Sequence, residues 1–471
     1  MISPSTSCPH FPFSHSPDQD EPFHAGQTAA YCAGRWSHWD PKITTPPGLY
    51  VLALGWARGV HAARRAASML LPARLPPAST PAWGSAAACS LGVLRFVNVP
   101  LAAGGFAAAT LVHRALHPKA SADVAALTAL AVALLPTHSF FTWLFYTDVA
   151  GLTLLLSAWA LSLRRRYLLA GLVATAAAAV RQTHAVWAAP IALGALIAAA
   201  DASRLPGTPR IADAGAGAAR QAVALGRAVL ARPGATLGSV WPLALPQAAL
   251  LALTLWNGGV ALGDKASHAA GAHAAQAVYA AAFVAAVLAL PHLSRRSVRL
   301  ALHDAGGPAG GHFARGVVGR AAGGWLALRA GLARPHPFLL ADNRHYTFYA
   351  WRAYVRAGPG AVVGLALAAA GCGAGWVGAL LRVGATAWGG GALWVAGLAA
   401  TALAALVPAP LVEPRYWTPL AAYALLAAPP ARPLRLAATV GVWVVMNAAL
   451  VHVFLDRPFK ASGGGVGRFM W

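Results

Sequence analysis

"ADVAALTALAVALLPTHSFFTWLFYTDVAGLTLLLSAWALSLRRR", residues 122–166, holds two apolar windows, 122–141 and 148–163, separated by an aromatic run that ends on Asp148. A helix crosses a bilayer with about 20 apolar residues, and both windows come near that length. Phe, Trp and Tyr before Asp148 suit a membrane interface, while Arg164–Arg166 suit the cytoplasmic side of a short loop. An acid where a membrane helix meets its interface is a candidate functional residue. An ordinary helix cap is the plain alternative.

The same pattern repeats outward from this stretch. Further apolar windows lie near 91–111, 167–181, 185–200, 241–258, 275–291, 361–382, 391–410, 416–430 and 436–455, with a Gly-rich one near 313–333. Hydrophobic residues make up 58% of the chain and charged ones 10%, against about 25% charged in a soluble domain. With a mean hydropathy of +0.56, most of this surface cannot face water. The fold expected is all-α, a polytopic membrane bundle of about 11–13 crossings.

The formal net charge is +23. Nucleic-acid binding would explain it only if the cations shared a folded face. They cluster between apolar runs instead, as in LRRRY and SRRSVR, which is the positive-inside pattern, and no nucleic-acid partner is expected. Residues 201–235 and 294–316 read as cytoplasmic, low-complexity, poorly structured loops. Counting crossings from them gathers FYTD (145–148), RQTH (181–184), NGGVALGDKASH (257–268) and EPRYW (413–417) on the opposite face. HPFLLADNRHYTFYAWR (336–352) joins them if 313–333 crosses. DQDEPFHAGQTAAYCAGRWSHWDPKITTPPGLY (18–50) joins them if 49–71 lies along the membrane surface.

The chemistry-bearing residues sit in those stretches. Asp18 and Asp20 match D-x-D, the metal and nucleotide-sugar pattern of soluble glycosyltransferases. Its usual α/β context is missing, so no metal site is expected. Asp20 and Glu21 are candidates for a general base on a sugar hydroxyl, or for a solvated acid capping a helix near Pro22. Arg181, Arg344 and Arg415 offer forked phosphate contacts, and His345 a switchable donor. Cys8, Cys32, Cys89 and Cys372 show neither metal-ligand spacing nor a disulfide framework. No zinc, Walker or dinucleotide motif appears, so ATP-driven transport and redox chemistry gain no support.

Taken in order, DEPFHAGQTAAYCAGRWSHWDPKITTPPGLY, LRFVN, FYTD, RQTH, NGGVALGDKASH, HPFLLADNRHYTFYAWR, EPRYW and RFMW resemble the dolichyl-phosphate-glucose-dependent α-1,2-glucosyltransferases. The resemblance runs from about residue 20 to the end. It implies a GT-C membrane enzyme of the endoplasmic reticulum with a luminal site. Its donor would be dolichyl phosphate β-glucose and its acceptor the diglucosylated lipid-linked oligosaccharide. It also implies that Asp20 is the base, Glu21 an orienting or alternate acid, and Asp148 an organiser of the acceptor or base. Arg181, His184, Asp264, Lys265, His336, Asp342, Asn343, Arg344, His345, Tyr346 and Arg415 would contact substrate. No cofactor is implied, since dolichyl phosphate leaves as an ionised group.

The implied organisation is a first luminal loop at 18–90, membrane helices at 91–200 and 241–292, and a cytoplasmic loop at 201–240. An Arg/Gly-rich segment at 293–335, a luminal motif loop at 336–360 and C-terminal helices at 361–471 complete it. Two features depart from the family. Residues 1–17 are polar and Pro-rich where a membrane helix is expected, which reads as an incomplete start, and the helix before His336 is degraded. The competing functions are a polytopic transporter and an inactive accessory subunit of the same fold.

Overall fold

The computed structural model describes residues 21–70, 82–85, 87–215, 217–266, 268–273, 275–299, 346, 375–409, 411–460 and 466–469. Asp20, His336, Asp342, Asn343, Arg344 and His345 lie outside them, as do residues 1–17 and the window near 313–333.

The described chain is helical apart from a two-strand antiparallel hairpin, β1 (Phe459–Lys460) with β2 (Val466–Gly467). It opens with α1 (Glu21–Cys32) and α2 (Gly48–Leu70), then the short α3 (Leu91–Arg95) leading into α4 (Asn98–Leu116). Next come α5 (Ala122–Ala133), α6 (Pro136–Ser139), α7 (Thr147–Leu163), α8 (Tyr167–Val180), α9 (Thr183–Trp187) and α10 (Ala189–Ser203). After α11 (Ala218–Ala231), α12 (Leu237–Val240), α13 (Leu245–Asn257) and α14 (Ala275–His292), the last helices are α15 (residues 375–388), α16 (Gly391–Leu406), α17 (Thr418–Ala427) and α18 (Pro433–Asp456).

Among the described residues, four helical stretches are long and apolar enough to cross a membrane: Leu91–Leu116, Thr183–Ser203, Leu237–Asn257 and Pro433–Asp456. The pair Ala122–Ala133 and Pro136–Trp143 makes a fifth, bent by 58°. Shorter apolar helices stand at Thr147–Leu163, Tyr167–Val180, Gln276–His292 and Gly391–Leu406. The protein is a polytopic helical membrane protein.

The bend has a local cause. Pro136 lacks the N–H needed to continue α5 and clashes with the preceding turn. Asn447 Nδ2, on α18, donates to the Leu134 carbonyl at 2.8 Å, and Leu135 is the last residue before the new helix. The chain then runs through a 3₁₀ turn, Phe140–Trp143, into an extended Leu144–Tyr146. Buried Asn98 donates to the Leu144 carbonyl at 2.5 Å and holds that extension in place. Asp148 therefore falls in the first turn of α7.

Close helix packing depends on particular glycines. A Cβ at Gly48 would sit 2.5 Å from the Ala179 carbonyl carbon and oxygen, so α2 begins directly against the end of α8. One at Gly171 would sit 2.1 Å from the Pro242 carbonyl oxygen. The largest core runs through α4, α5, α7, α8, α10 and α14–α17, with Trp159, Trp394 and Tyr423 near its centre. Tyr423 OH donates to the Trp187 carbonyl at 2.6 Å, which satisfies a phenol that burial would otherwise penalise.

Two expectations are corrected. The region 201–235 is not a poorly structured loop, because it carries α11, pinned through buried Gln221 and Leu225 one turn apart. Gln221 donates to the Ala212 and Gly215 carbonyls and accepts from Leu393 N at 2.8 Å. The cysteines do include a bridge: Cys32, at the end of α1, is bonded to Cys89, 57 residues on. Their Cα atoms stand 6.5 Å apart, a juxtaposition made by α2 turning the chain back and invisible in linear spacing.

Candidate active site

The first loop is stitched onto the rest of the bundle by backbone. Leu262 N donates to the Thr44 carbonyl at 3.1 Å, and Asp264 N to the Pro41 carbonyl at 2.9 Å. Gln182 Nε2 reaches both the Thr44 carbonyl (2.9 Å) and the Val260 carbonyl (3.2 Å). A Cβ at Gly263 would fall 2.2 Å from the Pro41 oxygen, so only glycine lets these two loops touch. Three of the chain's unusual motifs, PKITTPPGLY (41–50), RQTH and NGGVALGDK, thus meet at one end of the helices.

Glu21 is sealed beneath this end. Its side chain is 0% exposed. Its Oε1 accepts from Arg95 Nε at 2.8 Å and from Phe145 N at 2.7 Å, while Oε2 pairs with Arg95 Nη2 at 2.5 Å. Both oxygens are engaged, so Glu21 ties the start of α1 to α3 and to the extended run before Asp148. Asp20 immediately precedes this anchor. His24, one turn into α1, shares a 2.8 Å hydrogen bond with Tyr50 OH and fixes α1 to α2.

Asp148, 9% exposed, sits between two guanidiniums. Arg181 Nη1 donates to its Oδ1 at 2.8 Å, and Arg415 Nη1 stands 3.6 Å from its Oδ2. That Oδ2 has no hydrogen bond among the described residues. Arg415 also pairs with Glu413 and lies over Phe141 and Tyr146, at 5.2 and 5.4 Å from the ring centroids. The Arg181 guanidinium lies 4.9 Å from the Tyr416 ring centroid. Ring faces attract cations, so both guanidiniums are held by carboxylates on one side and aromatics on another. Among the described residues two carboxylates, Asp148 and Glu413, meet two guanidiniums, Arg181 and Arg415, in this cluster.

A cavity of about 310 Å³ opens over this cluster. Asp148, Arg181, His184 and Arg415 line it together with Thr44 and His138. His184, 3% exposed, has no partner for either ring nitrogen among the described residues. A Cβ at Gly151 would lie 2.7 Å from its Cε1, so the ring rests on the bare backbone one turn after Asp148. His138, also buried, has an unpartnered Nδ1. Buried polar atoms normally find partners, and three orphaned imidazole nitrogens around one cavity suit a ligand rich in hydroxyls. Among the described residues no group of three His, Cys, Asp or Glu is placed to hold a metal ion.

The other candidates fall around this centre. Asp264 and Lys265 lie outside the cavity wall. Lys265 Nζ donates to the Asn257 carbonyl at 2.5 Å, while Asp264 adopts φ 39° and faces His268 at 3.7 Å. Tyr346 stacks on Phe469 of the terminal RFMW, with centroids 6.3 Å apart. Arg468, beside it, donates to the Phe454 and Leu455 carbonyls at the end of α18. Phe454 meets Phe140 at 5.4 Å, which brings Tyr346 to the same end of the molecule as Asp148. Sequence reading missed His138, Glu413 and Tyr416. Glu413 and Tyr416 flank Arg415 within the quoted EPRYW, but His138 carries no signal before the bend at Pro136 is known.

A sequence profile of the DIE2/ALG10 family matches residues 15–425. The protein named Dol-P-Glc:Glc(2)Man(9)GlcNAc(2)-PP-Dol alpha-1,2-glucosyltransferase in Arabidopsis thaliana is 31% identical, across 97% of this chain and 95% of its own. The proteins of that name in Mus musculus and Homo sapiens are 31% and 28% identical, each across 97% of this chain and 93% of theirs. No solved structure matches the chain.

Proposed function

The chain belongs to the DIE2/ALG10 family, and from that premise we infer that it is a glucosyltransferase acting on lipid-linked substrates. It moves glucose from dolichyl phosphate β-glucose to Glc(2)Man(9)GlcNAc(2)-PP-Dol, forming a terminal α-1,2 linkage. The observation that carries the reading is the meeting of Asp148, Arg181, His184 and Arg415 in one cavity at one end of a membrane bundle. Each is supplied from a helix terminus or a loop, an arrangement that favours an enzyme over a transporter, whose polar groups interrupt helices at mid-membrane.

A β-linked donor and an α-linked product require inversion in one displacement. The acceptor hydroxyl oxygen attacks the glucose anomeric carbon, its proton passes to a base, and the carbon–oxygen bond to phosphate breaks with its electron pair on dolichyl phosphate. Asp20 is the proposed base. Glu21 spends both oxygens on Arg95 and Phe145 N, which suits a residue that positions Asp20. Asp148 Oδ2, lacking a hydrogen bond, is offered to a sugar hydroxyl. Arg181 and Arg415 face the departing phosphate, and His184 with His138 the glucose hydroxyls. His336, Asp342, Asn343, Arg344, His345 and Tyr346 are the proposed acceptor-side contacts, with Lys265 at the rim and Asp264 shaping its loop. No cofactor enters this scheme.

The proposed location is the endoplasmic reticulum membrane with the cavity facing the lumen. The Cys32–Cys89 bridge supports an oxidising compartment for the first loop. Arg164–Arg166 and Arg432, at the other ends of their helices, suit the cytoplasmic side.

The test is complementation of cells lacking the terminal glucosyltransferase, read as the size of the lipid-linked oligosaccharide. The chain should restore the fully glucosylated lipid, and Asp20→Asn should leave the diglucosylated one at equal protein level. An unchanged diglucosylated lipid with the unaltered, correctly inserted chain would sink the enzyme reading. Full rescue by Asp20→Asn would remove Asp20 as the base.

A further inference from the structure

At the end of α7 remote from Asp148, a second cavity of about 440 Å³ opens between α7, α10 and the turn that joins α15 to α16. Its inner wall is tryptophan, with Trp388 partly exposed and Trp159 and Trp394 buried behind it. Trp159 and Trp394 stack with centroids 6.1 Å apart and planes 16° from parallel, and Trp388 meets Trp394 edge-on at 5.0 Å. Trp394 Nε1 donates to the Pro190 carbonyl at 2.9 Å, whereas Trp388 Nε1 is buried with no acceptor among the described residues.

The rim is basic. Among the described residues Arg165, Arg204 and Arg210 surround one lining carboxylate, Asp201, with Arg204 Nη1 also donating to the Thr208 carbonyl at 2.7 Å. Asp201 Oδ1 is taken by Ile211 N at 2.8 Å, and Oδ2 stands 3.9 Å from Arg210 Nε. One half-engaged acid does not balance three guanidiniums. Arg165 is also unusual in its backbone. It closes α7 at φ 58°, with Arg166 N bonded to the Leu161 carbonyl and Arg165 N to the Ser162 carbonyl. Helices that end this way normally place glycine at that position, because a side chain is strained there. Here the strained position presents a guanidinium to the cavity.

The surroundings indicate where a ligand would come from. Arg232, just past α11, donates to the Ser203 carbonyl at the end of α10, so α11 lies beside the cavity mouth. On its outer side Val223 and Leu230 are 55% and 83% exposed, with Arg220 and Arg227 exposed beside them. A helix showing both apolar and basic residues outward lies in a membrane interface. Such a helix would set the mouth at the level of lipid headgroups.

We propose that this cavity is a binding site for an anionic phosphate ester, with the phosphate held by Arg165, Arg204 and Arg210 and the attached headgroup beside Trp388. Guanidinium forks match phosphate oxygens in pairs, and the Trp388 N–H supplies a further donor. The site lies away from the reaction cavity, and its test reads binding, so it stands or falls independently of the transferase reading.

The test uses the purified full chain in detergent, titrated with dihexanoyl phosphatidic acid and, separately, inorganic phosphate, and read by thermal shift and calorimetry. A saturable shift with the lipid alone identifies a headgroup site, and a shift with both identifies a phosphate site open to either source. Arg165→Gly relieves the backbone, so it should fold and melt at or above the parent temperature while its affinity falls by about tenfold or more, as expected for loss of a charge-assisted contact. Trp388→Phe should weaken binding further than the small drop in melting temperature from its lost packing on Trp394 accounts for. No shift in the parent with either probe overturns the proposal, as does undiminished affinity in Arg165→Gly.

Discussion

Replacing Asp148 by Asn removes one negative charge and almost no volume, so its effects isolate electrostatics. The carboxylate holds Arg181 at 2.8 Å and faces Arg415 at 3.6 Å in a site shielded from water. Losing the charge-assisted bond to Arg181 costs about 1.5–3 kcal/mol. Removing one member of a buried pair costs about 3–5 kcal/mol, because the remaining charge stays desolvated. Glu413 still neutralises Arg415, which confines the damage to Arg181 and places the expected loss near ~3 kcal/mol, the lower end of that range. Asp148→Asn should therefore lower the melting temperature of the purified protein; separately, if Arg181 is thereby misplaced in the proposed transition state at a cost of ~2.7 kcal/mol in the barrier, transfer should fall ~100-fold. Asp148→Glu should recover much of both, because Arg415 leaves slack for one more methylene. The paired variant Asp148→Asn with Arg181→Gln should lose less stability than the sum of the single changes. Additive losses, or an Asn variant with parental melting and transfer, would refute the reading of Asp148 as the clamp on Arg181.

Gly151→Ala would drive a methyl into the His184 ring, at 2.7 Å from Cε1. About 1–3 kcal/mol of overpacking is expected, with a rise in donor KM in a microsomal transfer assay. Glu21→Gln should destabilise by about 3–5 kcal/mol, as Arg95 loses its buried partner. Its melting temperature and steady-state level should fall together, whereas Asp20→Asn should lower turnover alone. Cys32→Ser opens a 57-residue loop, which is worth about 3–5 kcal/mol in the chain-entropy account. Reduced thermal stability, and one extra thiol in the alkylation count at Cys89, should accompany it.

The bundle was readable from the sequence because hydropathy alone separates lipid-facing helices from their Arg-capped ends, and windows such as 148–163 and 167–181 recur almost unshifted as α7 and α8. The convergence of FYTD, RQTH and EPRYW was also readable, as motifs sharing one side of the membrane. The contacts were not. Asp148 and Arg181 lie 33 residues apart, and only the antiparallel return of α8 makes them neighbours. The helix α11 was hidden because Arg, Gly and Pro scattered through 201–235 give that region a loop-like composition, although Gln221 and Leu225 share one face of the helix. His138 depends on a bend, and the Cys32–Cys89 bridge on a long helix turning the chain back.

The two helices that carry Asp148 and Arg181 are short. With 17 and 14 residues, α7 and α8 are about 25 and 21 Å long at ~1.5 Å per residue, against a hydrocarbon layer of ~30 Å, or ~27 Å in the endoplasmic reticulum. A bilayer meeting such helices must thin around them or let headgroups sink toward their ends. The recess over Asp148 would then lie where the leaflet is drawn down, and in the proposed scheme a phosphate on an isoprenoid tail would reach Arg181 without being lifted out of its own lipid plane. On that proposal hydrophobic mismatch would be part of how the substrate arrives, and a thicker membrane would make the approach more costly.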